Sequence, residues 1–146
     1  MGEHSATVGR LAAVIAHLQT DLNRIDRLAA IVLDVGSAED LQVLRMLELV
    51  GSLRVGELAR RRGSSVATVS ARIDRLEKRN LVTRRRHPDD RRAVIASLTP
   101  NGAELAAQSR RWREESIAAI AEGYPVEDLE RLAGALGDDP VLRHHS

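Results

Sequence analysis

The sequence predicts a mainly α-helical fold that carries one small β-hairpin. Apolar residues recur at helical spacing over most of the chain, and two short runs with β-strand character stand close together between residues 81 and 99. Aromatic residues are scarce, with one Trp, one Tyr and no Phe, so the core must consist of Leu, Val, Ile and Ala. A chain of 146 residues is long enough for one domain with a substantial core.

The first segment predicts a long helix with an interaction surface. Its apolar residues alternate in steps of four and three, the heptad pattern of a helix that packs along a helical partner. The pattern comprises Leu11, Ile15, Leu18, Leu22, Ile25, Ala29 and Val32. We therefore expect a long helix that ends near Gly36 and packs along a helical partner.

The next segment predicts two helices separated by a short strand. Ser37 is a suitable N-cap for a helix that continues to residue 50, and Gly63 can end a second, brief helix. Between them, Leu53 and Val55 have the alternation of a very short strand.

A further helix is expected after Gly63. Ser64 or Ser65 can cap its start, and Asn80 can take the left-handed conformation at its end. Its buried stripe is expected to be Val66, Val69, Ile73 and Leu76. Two helices around a tight glycine-containing turn form a helix-turn-helix, whose second helix enters the major groove of DNA.

The stretch "LVTRRRHPDDRRAVIASLT" predicts a β-hairpin, which would form the wing of a winged helix-turn-helix. "HPDD" has the composition of a turn, with three arginines directly before it and two directly after it. Arginines at a hairpin tip can enter the minor groove, and those on the preceding strand can reach phosphates. Asp89 and Asp90 are expected to brace the loop by pairing with a guanidinium or with turn amides.

The candidate DNA-contacting residues lie on the second helix and on the wing. By helical spacing the outward face of the helix should be free to face DNA, with small polar residues first and arginines further along. The predicted set is Ser65, Ala67, Thr68, Ser70, Ala71, Arg72 and Arg75 on the helix, and Arg84, Arg86, Arg91 and Arg92 on the wing. A plain polar surface is the alternative interpretation.

The C-terminal part, residues 100–146, predicts two more helices. Thr99 or Pro100 begins the first of them. Its candidates for burial are Leu105, Trp112, Ile117 and Ile120. The second is an amphipathic helix that carries Leu129, Leu132 and Leu136. Residues 37–99 between the two flanks are expected to be the DNA-binding domain.

The charge distribution supports a polyanionic partner. From Arg54 to Arg92 the chain has thirteen Lys or Arg and five acidic residues, although its overall net charge is only +1. A basic middle between acidic flanks is typical of a module that binds nucleic acid, while a solvated arginine-rich surface is the alternative.

Several functional classes are disfavoured by what the sequence lacks. There is no Cys, so disulfides and cysteine-based zinc sites are excluded, and a reducing compartment is compatible. Neither a signal peptide nor an apolar run of about 18 residues is visible, so we expect a soluble cytoplasmic protein. No phosphate-binding loop, metal-ligand spacing or catalytic constellation was found, so we expect no enzyme activity, metal or cofactor.

The wing and the helix before it resemble the MarR family of bacterial transcriptional regulators. The family's wing signature, approximately D-x-R-x-x-x-(V/I)-x-L-T, corresponds here to Asp90, Arg92, Ala96, Leu98 and Thr99, and "DRLEKRNLV" is similar to the end of its recognition region. The resemblance covers roughly residues 10–137. It implies a homodimer whose two winged domains bind a pseudo-palindromic operator. The N-terminal dimerisation helix, residues 1–36, and the C-terminal helices and tail, residues 100–146, would form its interface. The interface residues would be Leu11, Ile15, Leu18, Leu22, Leu129, Leu132 and Leu136.

We therefore predict a sequence-specific regulator that binds double-stranded DNA. The resemblance further implies a homodimeric repressor that a small-molecule effector could release from DNA. Two alternatives remain open at this point, a winged helix that serves protein contacts and an architectural DNA binder without an operator.

Overall fold

The computed structural model describes residues 2–127, 129–130 and 134. Five helices and three short strands have defined bounds within residues 2–121, and the described residues from 126 onwards are also helical. The helices are α1 (Gly2–Val32), α2 (Ala38–Val50), α3 (Val55–Arg61), α4 (Val66–Lys78) and α5 (Pro100–Ala121). The strands are β1 (Leu53–Arg54), β2 (Val82–Arg86) and β3 (Val94–Leu98). The predicted fold class, mainly α-helical with a small β-hairpin wing, is confirmed.

Hydroxyl side chains fix the starts of three helices. The Oγ of Ser37 accepts the Asp40 amide at 3.1 Å, and the Oγ of Ser65 accepts the Thr68 amide at 3.1 Å. The Oγ1 of Thr99 accepts the Gly102 amide at 3.0 Å. These bonds satisfy amides that have no partner inside their helix. The N-caps of α4 and α5, for which the sequence offered two candidates each, are therefore Ser65 and Thr99.

The sheet is antiparallel, with the strand order β1-β3-β2. The hairpin pairs Val82 with Leu98 and Arg86 with Val94, and β1 adds a short third strand on the other side of β3. The strand expected at Leu53 is present, but Val55 begins α3 instead of continuing it. The wing is therefore joined to the helix-turn-helix by backbone hydrogen bonds as well as by its covalent connections.

The core lies between α2, α3, α4 and the base of the sheet. Its largest fully buried side chains include Leu41, Leu44, Leu47, Leu58, Ile73 and Leu76. Two predictions of burial are wrong. Val66 is 55% exposed because it begins α4 and lines the open groove towards the wing, and Ile117 is 43% exposed in the second half of α5, beyond the buried Ala106 and Ser109.

A close approach anchors the wing to α5. Asn80 ends α4 with a φ of 56°, as its expected left-handed conformation requires. The Oγ1 of Thr99 donates to the Asn80 carbonyl at 2.7 Å. A Cβ at Gly102 would overlap the Leu81 carbonyl oxygen, so only glycine allows the start of α5 to pack this tightly.

A buried ionic cluster joins the flanking helices to α2. Asp26 of α1 accepts two hydrogen bonds of 2.7 Å from Arg45 of α2, one of 2.6 Å from Arg113 of α5 and one of 3.2 Å from Gln42. Burial would raise the pKa of Asp26, but the hydrogen bonds and charge of Arg45, followed by the bonds from Gln42 and Arg113, hold it below its ordinary value. The carboxylate therefore stays ionised and ties three helices together.

The predicted dimer residues are only partly visible. Leu11 lies within α1, Ile15 is exposed, and Leu18, Leu22 and Leu129 are partly buried in the single chain. Leu132 and Leu136 lie outside the described residues. In the part of the chain that the structure describes, no helix is both long and apolar enough to span a membrane.

Candidate nucleic-acid interface

The start of α4 presents a surface of small side chains. Ala67, Thr68 and Ala71 are exposed, and Ser70 is half-buried. The Oγ of Ser65 also makes a hydrogen bond of 2.8 Å to the Oγ1 of Thr68. Because these side chains are short, the helix end can approach the edges of bases closely.

The two arginines further along α4 are held by an acidic residue of α2. Arg72 Nη1 and Arg75 Nη2 each donate to Asp40 Oδ1 at 3.1 Å, and Arg72 also donates to the Oγ of Ser37 at 3.3 Å. The N-terminus of α2 packs beside α4, so both arginines are ion-paired on the outward side of the helix. Their contact with DNA stays a prediction.

Arg84 of the wing is also held by acidic residues. Its guanidinium lies 2.5 Å from Asp74 Oδ1 and 2.6 Å from Glu77 Oε2. The hydrogen bond to Glu77 and the charges of Asp74 and Glu77 outweigh a small burial effect, and they raise the pKa of Arg84. The first arginine of the wing thus fastens β2 to α4, and its predicted phosphate contact stays a prediction.

The wing tip is ordered by Asp90. Its Oδ1 accepts the Arg92 amide at 3.1 Å, its carbonyl accepts the Ala93 amide at 2.9 Å, and its Oδ2 lies 3.9 Å from Arg54 Nη1. Asp89 donates its own amide to His87 Nδ1 at 3.1 Å. Of the two acidic residues proposed to brace the loop, only Asp90 does so through its side chain among the described residues.

Three wing guanidinium groups have no carboxylate or hydrogen-bond partner among residues 2–127. They are those of Arg85, Arg91 and Arg92, all of them exposed. Arg86 donates to the Arg91 carbonyl at 3.2 Å, which leaves its charge uncompensated as well. The wing therefore carries the available positive charge of this surface.

An open groove separates α4 from the wing. It has a volume of about 790 Å³ and is lined by Val66 and Ser70 from α4 and by Arg85 and Arg92 from the wing, among others. The start of α4, the groove and the basic wing lie side by side. A winged helix presents this arrangement of elements to double-stranded DNA.

Comparison with known proteins agrees with this geometry. The sequence model of the MarR family matches residues 37–94. The "uncharacterized HTH-type transcriptional regulator YhbI" of Bacillus subtilis is 31% identical over 115 residues, which are 75% of each chain. The chain belongs to the MarR family. A second relative, the "HTH-type transcriptional repressor MdtR" of the same organism, is 42% identical over 62 residues, 42% of this chain and 40% of that one.

The MarR fold extends beyond the matched segment. A structure of a cysteine-to-serine mutant of MarR from E. coli, complexed with operator DNA, superimposes with a TM-score of 0.71 at 20% identity, over 89% of this chain and 93% of that one. The chain spans between 43% and 64% of the length of several other curated relatives that it matches.

One residue of this MarR-family surface was not singled out by sequence. Asp40 was visible only as an acidic residue in the first turn of α2, where interaction with the helix dipole is a sufficient explanation. No local pattern shows which acidic residue lies beside α4. Arg85 belongs to the strand arginines that were expected to reach phosphates, and strand alternation places it on the opposite face from Arg84 and Arg86.

Proposed function

We propose that this chain is a homodimeric repressor that binds a pseudo-palindromic operator in double-stranded DNA. The observation that carries the proposal is the small, exposed start of α4 beside a wing in which the guanidinium groups of Arg91 and Arg92 have no partner among the described residues. The MarR complex with operator DNA and the repressor MdtR support it as related proteins. Bacterial operators lie in the cytoplasm, so the proposal also assigns the chain to that compartment.

The proposal divides recognition between α4 and the wing. Thr68, Ser70 and the Ala67 and Ala71 methyl groups would contact base edges in the major groove, and thymine methyl groups suit such small apolar contacts. Arg92 and Arg91 would enter the minor groove or bind the flanking phosphates. No catalytic step, metal or cofactor belongs to this function.

The homodimer is supported by an apolar surface on α1. Val8 and Ile15 are exposed in the single chain, at 52% and 42%, and helical spacing places them on the same face as the partly buried Leu18 and Leu22. A second copy packed along this face would cover these side chains. Two copies also supply the two recognition helices that a pseudo-palindrome needs.

Release by an effector is supported by a basic cavity. A cavity of about 540 Å³ between α1 and α2 is lined by Arg45, Arg62 and Arg113 together with Asp26. Burial, followed by the charge of Arg72, lowers the pKa of Arg62 below its ordinary value. Arg45 and Arg113 are bonded to the Asp26 carboxylate, whereas Arg62 donates to the neutral Gln42 Oε1 at 2.8 Å. Three cations therefore line the cavity beside one carboxylate, so a small organic anion would be the favoured ligand. Its binding at this junction would change the spacing of the two DNA-binding domains of the dimer.

Selection of bound duplexes from a random pool tests the DNA-binding function. We expect an enriched sequence with two related half-sites about 10 base pairs apart, or a multiple of that spacing, and an affinity at least about 10³-fold above that for scrambled duplex. Equal binding of selected and scrambled duplex would instead favour an architectural binder, and the absence of DNA binding would favour a protein-interaction module.

The dimer and the effector need separate measurements. Light scattering should give twice the chain mass, and Ile15→Asp should lower it, whereas Ala13→Asp on the opposite side of α1 should not. Titration with a panel of small carboxylates, followed by gel shifts, tests the cavity. We expect a binder that weakens DNA affinity and whose own affinity falls in Arg62→Gln; binders without any effect on DNA affinity would contradict release by an effector.

A further inference from the structure

Asp40 is a buried acidic residue that lies beside the recognition helix. Its side chain is only 4% exposed, and its Oδ1 accepts hydrogen bonds from both Arg72 and Arg75 at 3.1 Å. These are the two arginines on the side of α4 that is predicted to face DNA, away from the buried Val69, Ile73 and Leu76. A single oxygen atom of α2 thus holds both of them.

The position of Asp40 is fixed by the core and by the helix cap. Its amide is bound to Ser37 Oγ at 3.1 Å, and the next residue, Leu41, is completely buried. The carboxylate therefore cannot follow the arginines if they move towards DNA. A phosphate must compete with Asp40 for them, and success would leave a buried carboxylate without its partners, which is unfavourable.

The two arginines differ in how strongly they are withheld. Arg72 is 21% exposed and has three acceptors nearby, the carboxylates of Asp40 and, at 4.0 Å, Glu39, and the hydroxyl of Ser37. Arg75 is 53% exposed and donates to the Ala71 carbonyl at 3.4 Å as well as to Asp40. Both charges are compensated before DNA arrives, and that of Arg72 more completely.

We propose that Asp40 is a positioning residue that keeps Arg72 and Arg75 away from non-specific phosphate contacts. Discrimination then depends on the small residues at the start of α4, because the two cations that would bind any sequence are held back. The inference rests on the DNA-binding function proposed above, and it concerns specificity rather than affinity for the operator.

The test compares Asp40→Asn with Glu39→Gln. Both substitutions remove one negative charge from the first turn of α2, but only the first removes the charge of the acceptor that Arg72 and Arg75 share. For Asp40→Asn we expect binding to scrambled duplex to tighten about tenfold and the slope of log K against log salt to steepen by about 1–2, since one or two phosphate contacts are gained. The ratio of selected to scrambled affinity should fall. Glu39→Gln should change these values by less than about twofold, as a weak surface pair would.

Arg72→Gln gives an independent measurement. If Asp40 withholds Arg72, this variant should leave scrambled-duplex affinity within about twofold and the salt slope unchanged. In the double variant Asp40→Asn/Arg72→Gln, part of the gain seen for Asp40→Asn should disappear. Thermal unfolding of each full-length variant checks its fold, and Arg72→Gln alone decides the question should Asp40→Asn fail to fold.

Three results would overturn the inference. They are a tenfold loss of scrambled-duplex binding in Arg72→Gln, equal effects of Asp40→Asn and Glu39→Gln, and a loss of binding to both duplexes in a folded Asp40→Asn variant. A wild-type chain that does not distinguish the two duplexes would contradict the proposed function itself. A wild-type chain that does distinguish them, with Asp40→Asn unchanged, would contradict only the role of Asp40.

Discussion

The recognition helix and the wing contain similar arginines in opposite electrostatic states. On α4, Arg72 and Arg75 are ion-paired with Asp40. At the wing tip, Arg91 and Arg92 have no side-chain partner among the described residues. The difference shows that a count of basic residues overstates the charge available to DNA, because the acidic residues of α2 and α4 neutralise part of it within the folded chain.

This separation assigns different tasks to the two regions. Unpaired guanidinium groups supply affinity that depends on salt and little on sequence, unless they enter a groove of suitable width. A helix end of small side chains supplies little affinity by itself but discriminates between base edges. Substitution of one arginine or one acidic residue at a time separates the two contributions.

Arg92→Ala should weaken operator binding the most, by about 1–3 kcal/mol if the side chain enters the groove. Fluorescence anisotropy at a fixed salt concentration measures the loss. Arg111→Ala, which removes an exposed arginine of α5, serves as the charge-matched control and should have little effect. Dimer mass should be unchanged in both. An unchanged affinity in Arg92→Ala would show that the wing tip does not touch DNA.

Asp90→Ala should have an intermediate effect, with operator binding weakened by about 1 kcal/mol. The variant loses the hydrogen bond of 3.1 Å to the Arg92 amide, which orients the tip. Removal of an acidic residue would by charge alone strengthen binding, so a loss identifies a geometric role. Asp89→Ala is the matched control, and it should bind as tightly as wild type or slightly tighter. In an Arg92→Ala background the effect of Asp90→Ala should vanish.

The sequence predicted local features well because their causes are local. Ser37 and Asn80 were assigned from the chemistry of single residues and took the predicted conformations. The hairpin followed from strand and turn composition, and its pairing of Val82 with Leu98 agrees with that. The heptad pattern of α1 likewise predicted a long helix, which extends from Gly2 to Val32.

The pairing of charges could not be predicted in the same way. Asp40 and Arg72 are 32 residues apart, and their contact depends on how α2 packs beside α4. Arg84 is tied to Asp74 and Glu77 across the junction of α4 and β2. Helical spacing showed correctly which side of α4 faces outwards, but it cannot show that another element supplies a carboxylate there. Val66 was misassigned because the periodicity of a helix does not reveal where its packing partner ends.

The smallest expected effect concerns two adjacent arginines of β2. Arg84 is paired with Asp74 and Glu77, whereas Arg85 lies on the opposite face of the strand and has no partner among the described residues. Both substitutions to Gln remove the same charge from the same strand. Arg85→Gln should reduce the salt slope of DNA binding by about 1, as the loss of one phosphate contact would.

Arg84→Gln should leave the salt slope unchanged and alter affinity by less than about 0.5 kcal/mol, because its charge is already compensated. Measuring both variants over a range of salt concentrations compares a paired and an unpaired cation at neighbouring positions. Equal slopes for the two variants would mean that DNA displaces the carboxylates from Arg84, and the distinction between held and available arginines would then fail at the wing. Asp74 and Glu77 are more exposed than Asp40, at 48% and 39% against 4%. They therefore bind Arg84 less strongly than Asp40 binds its two arginines, and the comparison of Arg84 with Arg85 is the more stringent test of this distinction.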